Sequence, residues 1–157
     1  MNKVCKLSFL ITVGMAGCQS GALAQTASKP FVTIADSEIQ WTKGSAPGTM
    51  IAVIYGKPLE PGLYTARVKF SAGTNTAPHS HPNTENITVI SGTFNIGQGE
   101  KAERAKAIAV KAGGAVIIEA NTPHFVFIDE ETVTQASAVG PAGITFINPD
   151  DDPTKKK

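Results

Sequence analysis

The sequence predicts an all-β domain, a small sandwich or barrel of antiparallel strands, and three observations carry that prediction. Fifteen glycines and ten prolines break the 157 residues into short runs. Leu63 to Phe70 alternates cleanly, with Tyr64, Ala66, Val68 and Phe70 on one face and Thr65, Arg67 and Lys69 on the other. The other apolar runs are as short, and each ends at a turn signal. Hydrophobic residues make up 41% of the chain and charged residues 17%, enough apolar material for one core. A net charge of +1, with no basic stripe, argues against a nucleic-acid partner.

Taken in order, residues 1–24 read as a secretory signal peptide. Lys3 and Lys6 give a positive start, and Leu7 to Gly17 is apolar but too short to span a bilayer. Ala22-Leu23-Ala24 then supplies the small residues that signal peptidase reads. Cleavage after Ala24 predicts a periplasmic or secreted protein and removes both cysteines, Cys5 and Cys18. A competing reading takes Met15-Ala16-Gly17-Cys18 as a lipoprotein box with Cys18 lipidated and anchored to a membrane. Met15 fits it poorly, since such boxes favour leucine there. Residues 25–30 are a flexible leader.

The folded domain is expected over residues 31–147. Met50 to Tyr55 is a continuous apolar strand ended by Gly56-Lys57-Pro58. Leu63 to Phe70 is the half-buried strand already described. Ile87 to Ile90 and Thr93 to Ile96 flank Ser91-Gly92, which predicts a hairpin. Glu100 to Ala107 is the one segment with helical composition. Ala115 to Ile118, Phe125 to Ile128, Thr132 to Val139 and Gly143 to Ile147 read as further strands. Residues 148–157 form a polar tail ending in three lysines.

The chemistry lies in the histidines. All three, His79, His81 and His124, stand where a metal would want them. Residues two apart on a strand share one face, so His79 and His81 can reach one ion. Glu85 follows after a short turn, and His124 can close the set from a distant strand. Three nitrogens and one oxygen leave coordination positions open, which suits a catalytic or ligand-binding ion better than a sealed structural one. Each imidazole also needs a partner for its second nitrogen, and Asn83, Thr84 and Thr122 are near in sequence. Val89, Phe94 and Val126 are the apolar neighbours expected to keep the site dry. Gly97 and Gly99 lack the context of a phosphate loop.

The stretch Gly73-x5-His79-x-His81-x3-Glu85-x6-Gly92 resembles the first motif of the cupin superfamily at every defining position. The second motif is partly met. Gly113 and His124 fall in register, while Glu119 stands where proline is usual, Asn121 where glycine is usual and Ile128 where asparagine is usual. Asparagine enters the left-handed region more readily than most residues, so Asn121 is an acceptable replacement. Glu119 is expected to end a strand and face water. The resemblance implies a cupin-type jelly-roll barrel holding one divalent transition metal (Fe, Mn, Zn, Ni or Cu) at His79, His81, Glu85 and His124. It also makes a homodimer plausible.

The reaction is not fixed by the sequence, because this fold hosts many activities. The first expectation is a metal-dependent enzyme acting on a small organic molecule by dioxygenase-, isomerase- or lyase-type chemistry. Its substrate would approach the ion through a carboxylate, enol or hydroxyl oxygen. The second is a periplasmic module that binds a metal or small ligand without turnover. No catalytic acid or base stands out beyond the ligand set; Tyr55, Tyr64 and Glu119 are the candidates. Arg67 and Lys69 are read as a solvent face, with an Arg clamp for a carboxylate as the sharper alternative.

Overall fold

Eleven strands, paired antiparallel throughout, build two sheets over residues 31–155, which are those that the computed structural model describes. The segments expected to be a signal peptide, 1–24, and a leader, 25–30, lie outside the described residues, as does Cys18. The strands are β1 (Thr42–Lys43), β2 (Thr49–Tyr55), β3 (Gly62–Phe70), β4 (Asn75–Ser80), β5 (Glu85–Ser91) and β6 (Thr93–Gln98). They continue as β7 (Ile108–Lys111), β8 (Ala115–Ile118), β9 (His124–Phe127), β10 (Thr132–Gly140) and β11 (Thr145–Phe146). One sheet runs β1-β2-β3-β10-β5-β8 and the other β11-β4-β9-β6-β7. This is the jelly-roll layout, but the two sheets are not closed into a barrel.

The alternation read from Leu63 to Phe70 sets the inner face. Tyr64 and Ala66 are buried, and Ala66 and Val68 pair with Ala136 and Thr134 of β10. The main core lies between the sheets. Ile87 and Val89 of β5 and Ile118 of β8 meet Phe94 and Ile96 of β6, Val126 of β9 and Ile128 just beyond it. Ile128 is 1% exposed, so an apolar residue at this position serves the packing directly. Burying a side chain of this size contributes roughly 1.5–3 kcal/mol.

Two expectations fail for identifiable reasons. Ser91-Gly92 does not close a hairpin, since β5 belongs to one sheet and β6 to the other. Gly92 has φ +74°, and a Cβ there would meet the Glu131 carbonyl at 2.5 Å. The turn therefore packs against the crossover into β10, and the Thr93 N–H donates to Thr132 Oγ1 at 3.2 Å. Glu100 to Ala107 is not helical beyond a 3-10 turn at Arg104–Lys106. A segment of this length is too short to hold a helix by propensity alone, and residues 100–106 are all exposed, leaving no apolar face to bury. Further 3-10 turns lie at Asp36–Glu38 and Pro149–Asp151.

Candidate metal centre

His79 sits in β4 with a register partner on each side, His124 of β9 and Phe146 of β11. The ring centroids of His79 and His124 are 4.2 Å apart, and Phe146 lies 5.8 Å away on the other side. His81 lies one residue past the end of β4, with its ring 5.0 Å from His79 and 5.2 Å from His124. One nitrogen of each ring lies within 4.8 Å of the others'. The three imidazoles thus come together, with His81 just past the strand that carries His79.

Glu85 arrives from the opposite sheet, as the first residue of β5. Its Oε2 is 3.7 Å from His81 Nε2. The three histidines form one group able to hold an ion, and the carboxylate stands beside it.

The fit to a metal rests on what the second ring nitrogens do. His79 Nδ1 donates to the Ala77 carbonyl at 2.7 Å, His81 Nδ1 to the Gly143 carbonyl at 2.7 Å, and His124 Nδ1 to the Thr122 carbonyl at 2.9 Å. A carbonyl oxygen only accepts, so each Nδ1 carries the proton and each Nε2 keeps its lone pair. That is the state a metal requires. The partners are thus backbone carbonyls rather than the side chains expected from Asn83, Thr84 and Thr122. Asn83 instead donates to the Pro141 carbonyl at 2.8 Å, and the Thr84 hydroxyl to Glu119 at 2.9 Å. The sequence carried no signal for Gly143, which reaches His81 from a loop over sixty residues away.

Burial reinforces the neutral state. It pushes His79 down from 6.5 to about 3, with His124 and His81 adding to the effect. His124 is lowered too, again chiefly by burial. Burial raises the Glu85 carboxyl, against the opposing pull of His81 and Tyr64. Tyr64 is raised by burial and by the Glu85 charge.

Asn121 links the two motif regions. It adopts φ 61°, in the left-handed region foreseen for it, and its N–H donates to the His81 carbonyl at 2.7 Å. Glu119 is exposed, as expected for a strand-ending turn.

The histidines open onto a cavity of about 430 Å³ between the sheets. Its walls include Ile51, Val68, Phe70, Ile87, Phe94 and Val126. Val89, expected in the wall, is packed in the core beneath at 1% exposure. Leu59 and Ile144, both exposed, stand on its lining as well. Of the acid–base candidates, only Tyr64 faces this space; Tyr55 and Glu119 do not line it. Arg67 and Lys69 also lie outside it. Arg67 donates from Nε to Gln135 at 3.1 Å, and Lys69 sits 4.9 Å over the Trp41 ring. An Arg clamp within the cavity is thereby excluded.

The family model for the cupin domain matches residues 66–139. No curated protein matches the chain. Among solved structures, it resembles the polyketide cyclase RemF from Streptomyces resistomycificus, with 17% identity and a TM-score of 0.64, covering 78% of this chain and 89% of that one. It also resembles salicylate 1,2-dioxygenase from Pseudoaminobacter salicylatoxidans, in the adduct with gentisate, with 14% identity and a TM-score of 0.55. That match covers 66% of this chain but only 30% of the dioxygenase. At these identities the likeness is one of fold.

Proposed function

Starting from a chain that belongs to the cupin superfamily, we propose that it is a metal-dependent enzyme acting on a small organic molecule, with one divalent transition metal held by His79, His81, Glu85 and His124. The observation that carries this reading is the set of three carbonyl-anchored imidazoles facing a largely apolar cavity. A structural site would be closed by protein, whereas these groups face open space large enough for a ligand. Solved structures of similar fold include a dioxygenase that binds gentisate and a polyketide cyclase. Dioxygenase-, isomerase- or lyase-type chemistry all remain within the reading.

A divalent ion held here supplies Lewis-acid polarisation of a ligand oxygen and, where redox-active, access to oxygen chemistry. The protein's own groups do the rest. The Nδ1–carbonyl bonds fix all three rings, so a ligand meets a set that needs no reorganisation. Apolar side chains make up most of the wall around them. Tyr64 Oη, beside the Glu85 carboxyl and raised by burial, is the group placed to hold or pass a proton.

Export to the periplasm, through the Ala24 cleavage site, completes the proposal. The test is metal analysis of protein recovered from that compartment, followed by assays for turnover and O2 uptake with small phenols and enols. A stoichiometric transition metal with substrate-dependent turnover supports the enzyme. Saturable binding without turnover on any metal would instead make the chain a periplasmic binding module.

A further inference from the structure

The cavity is chemically one-sided. The ionisable groups among the described residues that line it are three histidines, Glu85 and Tyr64, which gather together. Among the described residues that line it there is no lysine, arginine, asparagine or glutamine. The remaining wall is aliphatic or aromatic, relieved by a few hydroxyls. Of these, Thr49 is already committed, donating to the Ala46 carbonyl at 2.6 Å. Neighbouring cations are turned elsewhere: Arg67 and Lys69 do not line the cavity, and Lys57, next to Pro58 in the wall, pairs with Glu60 at 3.0 Å.

An ionised group carried into the body of this cavity would lose its water and gain no counter-charge, which is strongly unfavourable. At the histidine end a bound divalent ion would offset the Glu85 carboxylate, so whatever counter-charge the cavity offers lies at that end alone. An oxygen at the histidine end is different, because it meets the polar cluster. The volume, about 430 Å³, lies in the lower part of the usual range for small-molecule sites.

Resting on the metal-centre reading above, we propose that the cavity selects a ligand with its oxygen atoms at one end and an uncharged, largely apolar body, and that it discriminates against molecules bearing a carboxylate or phosphate away from that end. Ligands of this kind include alkyl phenols, catechols and enolised diketones. The selectivity lies in the walls rather than in the ion.

A matched pair tests this. 4-Methylcatechol and 3,4-dihydroxybenzoate present the same two hydroxyls to the ion and differ only in a methyl or a carboxylate on the far side of the ring. Both would be titrated into Co(II)-loaded protein at pH 7, following the visible spectrum, and into metal-free protein by saturation-transfer NMR. The expected result is at least a tenfold preference for 4-methylcatechol in the loaded protein and the same order of preference in the metal-free one. The variant Leu59→Arg, at an 82% exposed position on the cavity lining, should narrow that preference without disturbing the fold. Equal or tighter binding of 3,4-dihydroxybenzoate to both forms overturns the selectivity and leaves the metal centre standing. Failure to take up Co(II), with the preference kept in the metal-free protein, overturns the metal centre and leaves the selectivity standing. Binding of neither compound at millimolar concentration overturns the inference.

Discussion

His79 and His124 are register partners across the ladder between β4 and β9, with ring centroids 4.2 Å apart. Two of the three imidazoles are thus mounted on one hydrogen-bonded piece of backbone. His81, beyond the strand end, is held separately by the Gly143 carbonyl and the Asn121 N–H. The cluster therefore has one half mounted on the sheet and one half set by loops.

Removing any one imidazole should cost far more metal affinity than stability. For His81→Ala and His124→Ala we expect affinity to fall at least about 100-fold, beyond the ~10–100-fold typical of outer-shell losses. Far-UV circular dichroism should stay nearly unchanged. Competition against a chromophoric chelator measures this. Wild-type affinity in His81→Ala would remove that residue from the set. A crystal structure of loaded protein should show nitrogen distances of about 2.0–2.3 Å.

The buried histidines also predict how the metal-free protein responds to acid. His79 is held at about 3 in the folded state, against 6.5 when unfolded. Between those values the unfolded chain binds a proton that the native chain refuses, so stability is present above pH 6.5 and is lost as pH falls towards 3. His124 acts in the same direction. Glu85, raised in the folded state, acts oppositely: its ionisation costs stability as pH rises past its unfolded value of 4.5. Two groups pull one way and one the other, and His79 alone corresponds to a loss on the order of a few kcal/mol as pH falls across that window. Thermal melts of metal-free protein at pH 7, 6 and 5 should show Tm falling at each step. A flat profile would mean that the rings are not held neutral.

Much of this was legible from the chain because single residues carry it. The period-two run at Tyr64, Ala66, Val68 and Phe70 foretold an inner face. The positions of His79, His81 and His124 foretold that the three imidazoles would gather. Sheet membership was not legible: a Ser-Gly turn looks alike whether it closes a hairpin or passes a strand to the other sheet. In the fold Gly92 lies close to Glu131 and Thr132, a contact between residues distant in sequence. The Nδ1 partners were illegible for a related reason, since any residue can present a carbonyl. Residues 100–107 have helical composition but form only a 3-10 turn, because propensity ignores whether a face can be buried.

Gly97 has a packing role that its place in a Gly-x-Gly pair disguises. It faces Phe125 across the β6–β9 ladder, and a Cβ there would overlap the Phe125 ring. Phe125 is fully buried. Gly97→Ala should destabilise by about 1–3 kcal/mol. In a Phe125→Ala background the same change should cost much less, and denaturant melts of the four proteins give that coupling directly. Additive losses would show that the ring and the glycine are independent.

Export is decided by mass. The mature chain should begin at Gln25 and contain no thiol, because Cys5 and Cys18 precede the cut. Intact-mass analysis of protein expressed with its leader distinguishes this from a chain beginning at a diacylglycerol-modified Cys18. An uncleaved chain would defeat both readings.

Asn121 offers the sharpest test of the loop-set half of the centre. Its φ of 61° is one that glycine adopts freely and a β-branched residue adopts only under strain, at about 1–3 kcal/mol. Its N–H holds the His81 carbonyl at 2.7 Å, so the turn and the ligand move together. Asn121→Gly should keep both the melting temperature and the metal affinity close to those of the wild type. Asn121→Val should lower the melting temperature and also weaken metal binding by ~10–100-fold, as loss of an outer-shell support does. The second effect separates two accounts of the residue. If Asn121→Val melts earlier yet binds metal as tightly as before, the turn merely stabilises the fold, and His81 is positioned by Gly143 alone. If affinity falls even when measured well below the melting transition, the backbone of the second motif sets the aim of a ligand in the first.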